Sequence, residues 1–310
     1  MSVIIPMYNH ERYIADCLKS IAAQKYDNIE LLIADDGSTD DSYSIAVKTL
    51  RSISENRFQK RRIIKNEINL GLCKNLNRLI KKAAGKYIKI IASDDMLLPD
   101  ALTKLVFYLE THPDEGAVLS NVAMVKESAH VKGISIDQID PFYSCSPIDE
   151  VNPFKHLYEN GDNLLVAGLM VRRNLYEKHG LYDESLTIED WDFWLRIFSS
   201  GEKVGWLKDP TALYRVLPGS LSHPDDSPES HKKMERSIHD ELSILKKYRM
   251  VDGVSYRKGL TRLINSRISA CLKANYMHGV NHLIDIAKTE GGSIYLKTYV
   301  KLVAHAIGLY

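Results

Sequence analysis

Two adjacent carboxylates, Asp94 and Asp95, follow a short apolar run at residues 87–91. The run predicts a buried strand, and Pro99 predicts the start of a helix. Open α/β sheets bind their ligands at the carboxyl ends of strands. Because two neighbouring negative charges repel, a divalent cation, a basic side chain or water must stabilise them. Mg²⁺ and Mn²⁺ are often held by one or two carboxylates plus substrate phosphates. The alternative is a solvated acidic turn.

Two further acidic groups stand at predicted element ends. Asp35 and Asp36 end a second, nearly continuous apolar run at residues 29–34, which predicts a strand covered on both faces. Glu189 and Asp190 open a segment with an apolar stripe at helical spacing. Acids in a first helical turn also stabilise the helix dipole, so capping is the simpler alternative for this pair.

The elements that position these acids alternate between strand and helix. We predict strands at residues 3–5, 29–34, 62–65, 87–91 and 117–120. Helices are predicted at 14–22, from Ser38 or Asp40 to about 54, at 72–84 and at 99–111. Asn9 is predicted to cap the first of them, and Gly85 to end the third. This alternation predicts βαβ units and a mostly parallel, Rossmann-like sheet flanked by helices. A G-x-G-x-x-G loop and a P-loop are both missing, so the site favours a donor group or a metal over a bare phosphate.

The 310 residues allow one large domain with an appendage. We predict a catalytic domain at 1–227, with halves at 1–100 and 101–227, and a helical extension of about three helices at 228–310. Residues 125–152 lose periodicity, which predicts a long loop. The extension has 14 Lys and Arg against 7 Asp and Glu, a net charge of +7, whereas 1–227 has 27 against 33, a net of −6.

This charge pattern bears on partners. The whole chain has a formal net charge of +1, which gives no case for nucleic acid. The basic extension suggests an anionic surface, although a solvated helical face explains it equally well. Its last, Tyr-rich helix is either packed in a core or laid on a membrane.

The cysteines and the apolar runs indicate the cellular compartment. Four scattered cysteines give no disulfide or zinc framework. The first residues lack the pattern of a signal peptide, and no apolar run reaches the ~18 residues of a membrane span. We therefore expect a cytoplasmic protein, at most peripheral at the inner membrane face.

Seven short motifs occur in order between residues 2 and 222. They are Val3-Ile-Ile-Pro-Met-Tyr-Asn9, Asp35-Asp-Gly-Ser-Thr-Asp40, Asn69-Leu-Gly71 with Asn77, Gly85-Lys-Tyr-Ile88, Ser93-Asp-Asp95, Glu189-Asp-Trp-Asp192 with Arg196, and Tyr214-Arg215 with Gly219-Ser220. In this order they resemble a family 2 glycosyltransferase of the GT-A fold. The resemblance implies inverting transfer of a sugar from a nucleotide-sugar donor, UDP-linked, to an acceptor hydroxyl. The acceptor would be a saccharide or lipid-linked saccharide of a cell-surface polysaccharide.

The resemblance also implies roles in donor binding. Asp36 matches the acid that accepts the N3–H of uracil. Tyr8 matches the aromatic residue beside the base, and Pro6 and Asn9 shape that loop.

Metal binding is implied for the Ser93-Asp94-Asp95 element. Asp95 matches the ligand of Mn²⁺ or Mg²⁺, and Asp94 matches the acid that faces the ribose or sugar. Serine replaces the first acid of the family's D-x-D element at position 93. The metal takes up charge on the departing diphosphate, so a protein acid is not needed.

The remaining roles concern the acceptor and the diphosphate. Asp190 matches the general base, with Glu189 as the alternative, and Trp191 either floors the acceptor sugar or lies in the core. Arg215 and Lys74 could bind the diphosphate. The family often has a histidine at the position of Leu217, for which His223 could substitute.

Two other functions remain open from the sequence. One is a sugar-nucleotide-binding subunit without catalysis, against which the intact Asp95 and Asp190 argue. The other is a glycoside hydrolase, which needs two carboxylates but no nucleotide pocket. Specificity for sugar and acceptor is expected in residues 125–152 and 163–168.

Overall fold

A computed structural model describes residues 1–126, 140–143, 152–161, 164–220, 223–249 and 253–306. Most of the predicted loop at 125–152 lies outside these ranges. The chain forms two compact units. Unit 1 comprises Met1–Pro147, Leu164–Ser185 and Arg196–Val216, and unit 2 comprises Ile148–Asn163, Leu186–Leu195 and Leu217–Tyr310. Unit 2 therefore includes two short segments that precede the predicted helical extension.

One sheet runs through unit 1, with nine strands in the described residues. The strands are β1 Ser2–Met7, β2 Glu30–Asp35, β3 Lys60–Lys65, β4 Tyr87–Ile90, β5 Met96–Leu97, β6 Glu115–Lys126, β7 Asp140–Tyr143, β8 Leu169–Arg172 and β9 Lys203–Val216. Their order is β3-β2-β1-β4-β8-β6-β9-β5, and β7 pairs with β6.

The first half of the sheet is parallel, as the alternation predicts, because β1 pairs in parallel with β2 and β4, and β2 with β3. The second half is mixed. β8 is antiparallel to both β4 and β6, and β5 is antiparallel to β9, whereas β6 and β9 are parallel. A parallel pair needs a crossover connection, but a helix between two strands does not oblige them to pair in parallel. The prediction of a mostly parallel sheet therefore holds only for the first half.

Helices flank this sheet. They are α1 Ile14–Ala22, α2 Ser42–Ser52, α3 Leu72–Ile80, α4 Ala101–Thr111 and α6 Arg173–His179. The core between α1 and the sheet contains Ile14, Cys17, Leu18 and Ile21 with Val3, Ile5, Leu31 and Ile33. These residues are the apolar stripe of a 3.6-residue period and the facing side of the strands.

Two predicted helix boundaries are wrong for local reasons. Asn9 does not cap α1: it has φ 52°, and its Oδ1 accepts a hydrogen bond from the Thr39 amide at 2.9 Å instead. The helix α3 ends before Gly85 is reached. A Cβ at Gly85 would lie 2.4 Å from the Ser2 nitrogen, so this glycine permits a close backbone approach and does not end the helix.

Unit 2 is helical. Its helices are α5 Pro153–Asn160, α8 Pro228–Lys247, α9 Gly253–Lys273, α10 Met277–Glu290 and α11 Leu296–Ala306, and α7 Asp190–Ser199 starts in it. Among the described residues, four helices begin at or after Pro228, where about three are predicted. Asn152 and Ser227 cap α5 and α8 by accepting amide hydrogen bonds at 2.9 and 3.1 Å. In the described part of the chain, every helix is too short or too polar to cross a membrane.

Candidate active site

The predicted acids of unit 1 gather at the carboxyl edge of the parallel strands. β1 lies between β2 and β4, and the register pairs Met7 with Asp35. Asp36 follows β2, and Asp94 and Asp95 follow β4, so they flank the segment that continues from Met7. The strand order thus brings together residues that are about sixty positions apart in the sequence.

Asp36 is buried and holds a neighbouring loop. Its Oδ1 accepts hydrogen bonds from Asn66 Nδ2 at 2.8 Å and from the Leu70 amide at 2.9 Å. Its Oδ2 accepts one from the Gly71 amide at 3.0 Å. The carboxylate therefore fixes the turn that precedes α3, a structural task that the sequence does not reveal.

A cleft of about 410 Å³ opens beside this carboxylate. Its lining residues are Gly37, Ser38, Thr39, Lys65, Asn66 and Glu67. Lys65 ends β3 next to Asp35, so parallel register places a cation at the same edge. Sequence reasoning missed Lys65 and Glu67, although their position directly at a strand end is the signal that could have indicated them.

The segment after β1 links the two acidic loops. Tyr8 is exposed, and the Asn9 amide donates to Ser38 Oγ at 2.9 Å. The His10 amide donates to Ser42 Oγ at 2.7 Å, while its ring Nδ1 lies 2.7 Å from Ser93 Oγ. The same Nδ1 is 3.6 Å from Asp94 Oδ1. His10, which sequence reasoning also missed, therefore contacts both the α2 start and the acidic pair.

Arg215 holds the acidic pair in place. Its amide donates to Asp95 Oδ1 at 2.9 Å, and its Nε donates to the Asp94 carbonyl at 2.9 Å. The guanidinium is buried and lies 4.9 Å from the centre of the Tyr13 ring. The structure thus gives Arg215 a role in supporting this loop, and its predicted contact with a diphosphate stays a prediction.

Ionisation of Asp95 is unfavourable in this structure. It is 3% exposed. Burial, and then the like charge of Asp94, raise its pKa well above the ordinary value of an aspartate, although Arg215 and Lys89 oppose the shift. A cation at this position would relieve the cost of ionising it.

Carboxylate oxygens are ligands that a divalent metal prefers, so the chemistry of this loop fits such an ion. The described residues contain no group of three or more His, Cys, Asp or Glu side chains that could hold a metal ion. A closed site made by the protein alone is excluded within that part of the chain. Two carboxylates are nonetheless the usual protein share of a Mg²⁺ site completed by phosphates and water.

Lys89 lies inside the sheet of unit 1, and sequence reasoning missed it. Its side chain is completely buried, and its ammonium donates a hydrogen bond to the Ala167 carbonyl. Burial lowers the pKa of Lys89 to about 7, although the charge of Asp95 opposes the shift. Lys89 interrupts the apolar pattern of β4, which is the signal that could have indicated it. The predicted diphosphate contact Lys74 is exposed on α3.

The second acidic group belongs to unit 2. Asp190 is the first residue of α7, and its Oδ1 accepts the Trp191 amide at 2.8 Å. Partial burial, and then the charge of Asp190, raise the pKa of Glu189 to about 8. The raised pKa favours the protonated form of Glu189 near neutral pH.

The next two residues, Trp191 and Asp192, make contacts within unit 2 that support its structure. Asp192 is buried and binds Lys247 Nζ at 2.8 Å and the Tyr248 hydroxyl at 3.1 Å. Trp191 is 1% exposed, and its indole N–H donates to the Leu157 carbonyl at 3.2 Å. The structure thus favours the core alternative for Trp191 over a floor for the acceptor sugar, because an indole buried to this degree has no face left for a ligand.

The remaining predicted contact, His223, lies in a turn of unit 2. Its amide donates to Ser220 Oγ at 3.2 Å, and its carbonyl accepts from the Gly219 amide at 2.8 Å. Burial, and then the charge of Lys273, lower the pKa of His223. Its role as a substitute phosphate ligand stays a prediction.

Solved structures share this fold. Staphylococcus aureus TarS 1–349 in complex with UDP-GlcNAc aligns with a TM-score of 0.56 at 17% identity, over 95% of this chain and 93% of that chain. The mannosyltransferase PcManGT from Pyrobaculum calidifontis, in complex with GDP-Man and Mn²⁺, aligns with a TM-score of 0.58 at 18% identity, over 100% of this chain and 80% of that chain. The protein therefore has the predicted GT-A fold, a mixed α/β sheet with flanking helices.

Sequence comparison gives the family. Residues 2–161 match glycosyl transferase family 2. The putative glycosyltransferase EpsE of Bacillus subtilis is 31% identical over 219 residues, 70% of this chain and 72% of that protein. The amylovoran biosynthesis glycosyltransferase AmsE of Erwinia amylovora is 30% identical over 227 residues, 71% of this chain and 76% of that protein. The chain belongs to glycosyl transferase family 2, and it is an enzyme of that class, as the resemblance predicts.

Proposed function

We propose that this glycosyltransferase moves a sugar from a UDP-linked donor to an acceptor hydroxyl, with inversion at the anomeric carbon and with Mn²⁺ or Mg²⁺ as cofactor. The observation that carries the proposal is the arrangement at one sheet edge of unit 1. The buried carboxylate of Asp36 lies on one side of β1, and the adjacent carboxylates of Asp94 and Asp95 lie on the other.

The nucleoside would bind beside Asp36. This carboxylate accepts three hydrogen bonds from the protein, and a carboxylate offers about four acceptor positions. One position is left for an N–H of the base. The exposed ring of Tyr8 supplies an apolar face, and Pro6 and Asn9 hold that ring's segment. Structural neighbours bind UDP-GlcNAc and GDP-Man, so the base must be tested directly.

The diphosphate would bind at the acidic pair. Asp95 would hold the divalent metal, which when bound takes up negative charge on the departing diphosphate. Asp94 would face the ribose or sugar of the donor. Arg215 and Lys74 would add positive charge, and Arg215 also fixes the loop that carries the pair. Because charge is neutralised in this way, the leaving group needs no proton from the protein.

The acceptor hydroxyl would give its proton to Asp190. The family resemblance supports this role, and so does the protonation of the pair, in which Glu189 keeps a proton near neutral pH. General-base catalysis of this kind contributes about 10²–10⁴-fold to a rate. If Glu189 were the base, its neutral form would have to ionise first.

The pathway proposal comes from the relatives. AmsE is a glycosyltransferase of amylovoran biosynthesis. We place this chain likewise in cell-surface polysaccharide assembly, with a saccharide or lipid-linked saccharide as acceptor.

A thermal-shift series tests the donor and the metal together. Bound donor stabilises the native state by mass action, so UDP-sugars with Mn²⁺ should raise the melting temperature, and GDP- or dTDP-sugars should raise it less. Asp95→Ala should remove the metal-dependent part of the shift, whereas the control Asp114→Ala, an exposed acid of unit 1, should not. Unchanged binding of UDP with Mn²⁺ by Asp95→Ala would contradict the metal role.

A transfer assay tests the base. Asp190→Asn should keep the donor-induced thermal shift and lose at least about 10²-fold in transfer. Glu189→Gln should lose much less, because it leaves the proposed base, Asp190, in place. Normal transfer by Asp190→Asn would move the base elsewhere.

A further inference from the structure

The last described helix, α11, exposes an apolar face. Of the large apolar side chains that are exposed in the described residues, five lie close together on this helix and at its start: Tyr295, Leu296, Tyr299, Val300 and Val303. Leu296 is 79% exposed, whereas Thr298 is 1% exposed. The helix therefore packs on unit 2 through a small polar residue and turns its large apolar side chains outward.

The five side chains form one continuous stripe. Their spacing is i, i+1, i+4, i+5 and i+8, which at 3.6 residues per turn covers an arc of about 140°. A helix of a globular protein normally buries such an arc against its core. On α11 this arc is exposed instead, so its apolar stripe does not pack against the core of unit 2.

Positive charge borders the stripe. Lys297 and Lys301 are four residues apart and lie on one flank of the arc, and residues 295–306 contain no acidic side chain. Lysine stems can lie along an apolar surface while the ammonium reaches outward. Two tyrosines within the stripe combine an apolar ring with a polar tip, the chemistry that suits the level of lipid headgroups.

We propose that this face of α11, defined by Tyr295, Leu296, Tyr299, Val300 and Val303 with Lys297 and Lys301, lies on the surface of an anionic lipid bilayer. The apolar stripe enters the boundary between headgroups and acyl chains, and the two lysines contact anionic headgroups. Residues 228–310, to which α11 belongs, have a net charge of +7, with 14 Lys and Arg against 7 Asp and Glu, which gives this segment a favourable long-range attraction to anionic lipid. A protein partner would have to supply both a long apolar groove and acidic rims, which nothing about this chain calls for.

Flotation of the full-length chain with vesicles tests the proposal. Binding should be strong to vesicles of phosphatidylcholine with phosphatidylglycerol at low salt, and weak to phosphatidylcholine alone. Leu296→Gln with Val300→Gln should lower the partition coefficient at least about tenfold, because two apolar side chains no longer insert. Lys297→Gln with Lys301→Gln should lower it about 25-fold on the anionic vesicles only, at roughly fivefold per lysine.

The matched control is Phe107→Gln. Phe107 is 69% exposed on α4 of unit 1, so its loss removes the same kind of side chain from a different surface. This variant should float like the unmodified chain. Thermal melts of Leu296→Gln with Val300→Gln and of Phe107→Gln should coincide with that of the unmodified chain, since these side chains are exposed.

Three results would overturn the proposal. The unmodified chain fails to bind anionic vesicles, or the α11 variants bind as it does, or sedimentation velocity shows a dimer that Leu296→Gln with Val300→Gln dissociates without any effect on flotation. The last result would make the face a self-association surface. The thermal shift with UDP-sugars is measured without lipid, so failure of either proposal leaves the other intact.

Discussion

Lys89→Met probes the cost of a cation inside the sheet of unit 1. The side chain of Lys89 is 0% exposed in β4, and burial lowers its pKa to about 7, against the opposing charge of Asp95. The ordinary value is 10.5. Each unit of pKa corresponds to about 1.4 kcal/mol, so at pH 7 the lysine destabilises the folded state by up to ~4 kcal/mol relative to a side chain that does not titrate.

The sign of the pH dependence follows from proton binding. In the unfolded chain Lys89 stays protonated up to its ordinary pKa, whereas in the folded chain it binds a proton only below about pH 7. Between these values the unfolded state binds more protons, so the free energy of unfolding rises with pH. This contribution amounts to about 3 kcal/mol between pH 7 and about pH 9.5. Methionine has a similar length and cannot titrate, so the variant lacks this pH-dependent contribution.

Urea unfolding in metal-free buffer measures the effect. At pH 7 we expect Lys89→Met to be more stable by about 1–3 kcal/mol, because the charge cost is removed and only the hydrogen bond to the Ala167 carbonyl is lost. The advantage should shrink by about 3 kcal/mol towards pH 9.5. Lys82→Met, at an exposed lysine, is the control and should follow the unmodified chain. Parallel pH profiles for Lys89→Met and the unmodified chain would refute the reasoning.

Three further substitutions give separate tests by urea unfolding. Asp36→Asn should lower the free energy of unfolding by about 2–3 kcal/mol, because an amide cannot accept hydrogen bonds at both Oδ1 and Oδ2. The exposed control Asp27→Asn should leave it unchanged, and equal losses in the two variants would contradict the anchoring role of Asp36. Lys247→Met should lower it by about 1–3 kcal/mol, because the buried carboxylate of Asp192 loses its cation; no loss would show that the tyrosine contact suffices. Because the folded-state pKa of Glu189 is raised, the free energy of unfolding should fall as pH rises through about 8, and Glu189→Gln should remove this fall. A pH profile unchanged by the substitution would argue against a protonated Glu189.

The sequence by itself determines the first half of the sheet and the position of its acids. Residues 29–34 and 87–91 are apolar runs of strand length, and each ends in carboxylates, so local pattern alone fixes both the strand and its functional end. The helices between them favour parallel pairing, which places Asp36 and Asp95 at one edge. The ordered motifs then identify the family without any coordinates.

Only the tertiary structure decides what depends on distant pairing. β8 lies between β4 and β6 and is antiparallel to both, an orientation that the helices before and after it in the sequence do not reveal. His10 joins the acidic pair, and Arg215 holds it, through contacts that join residues about 80 and 120 positions apart. Local pattern is blind to such contacts.

The same limit explains the aromatic and apolar residues. Trp191 and the stripe on α11 have similar helical patterns, yet the first is buried and the second is exposed. Periodicity shows that a helix has an apolar side, but which side meets the core depends on the surfaces available when the helices pack. The sequence therefore determines the chemistry at the strand ends, and packing within each unit decides which side chains remain accessible.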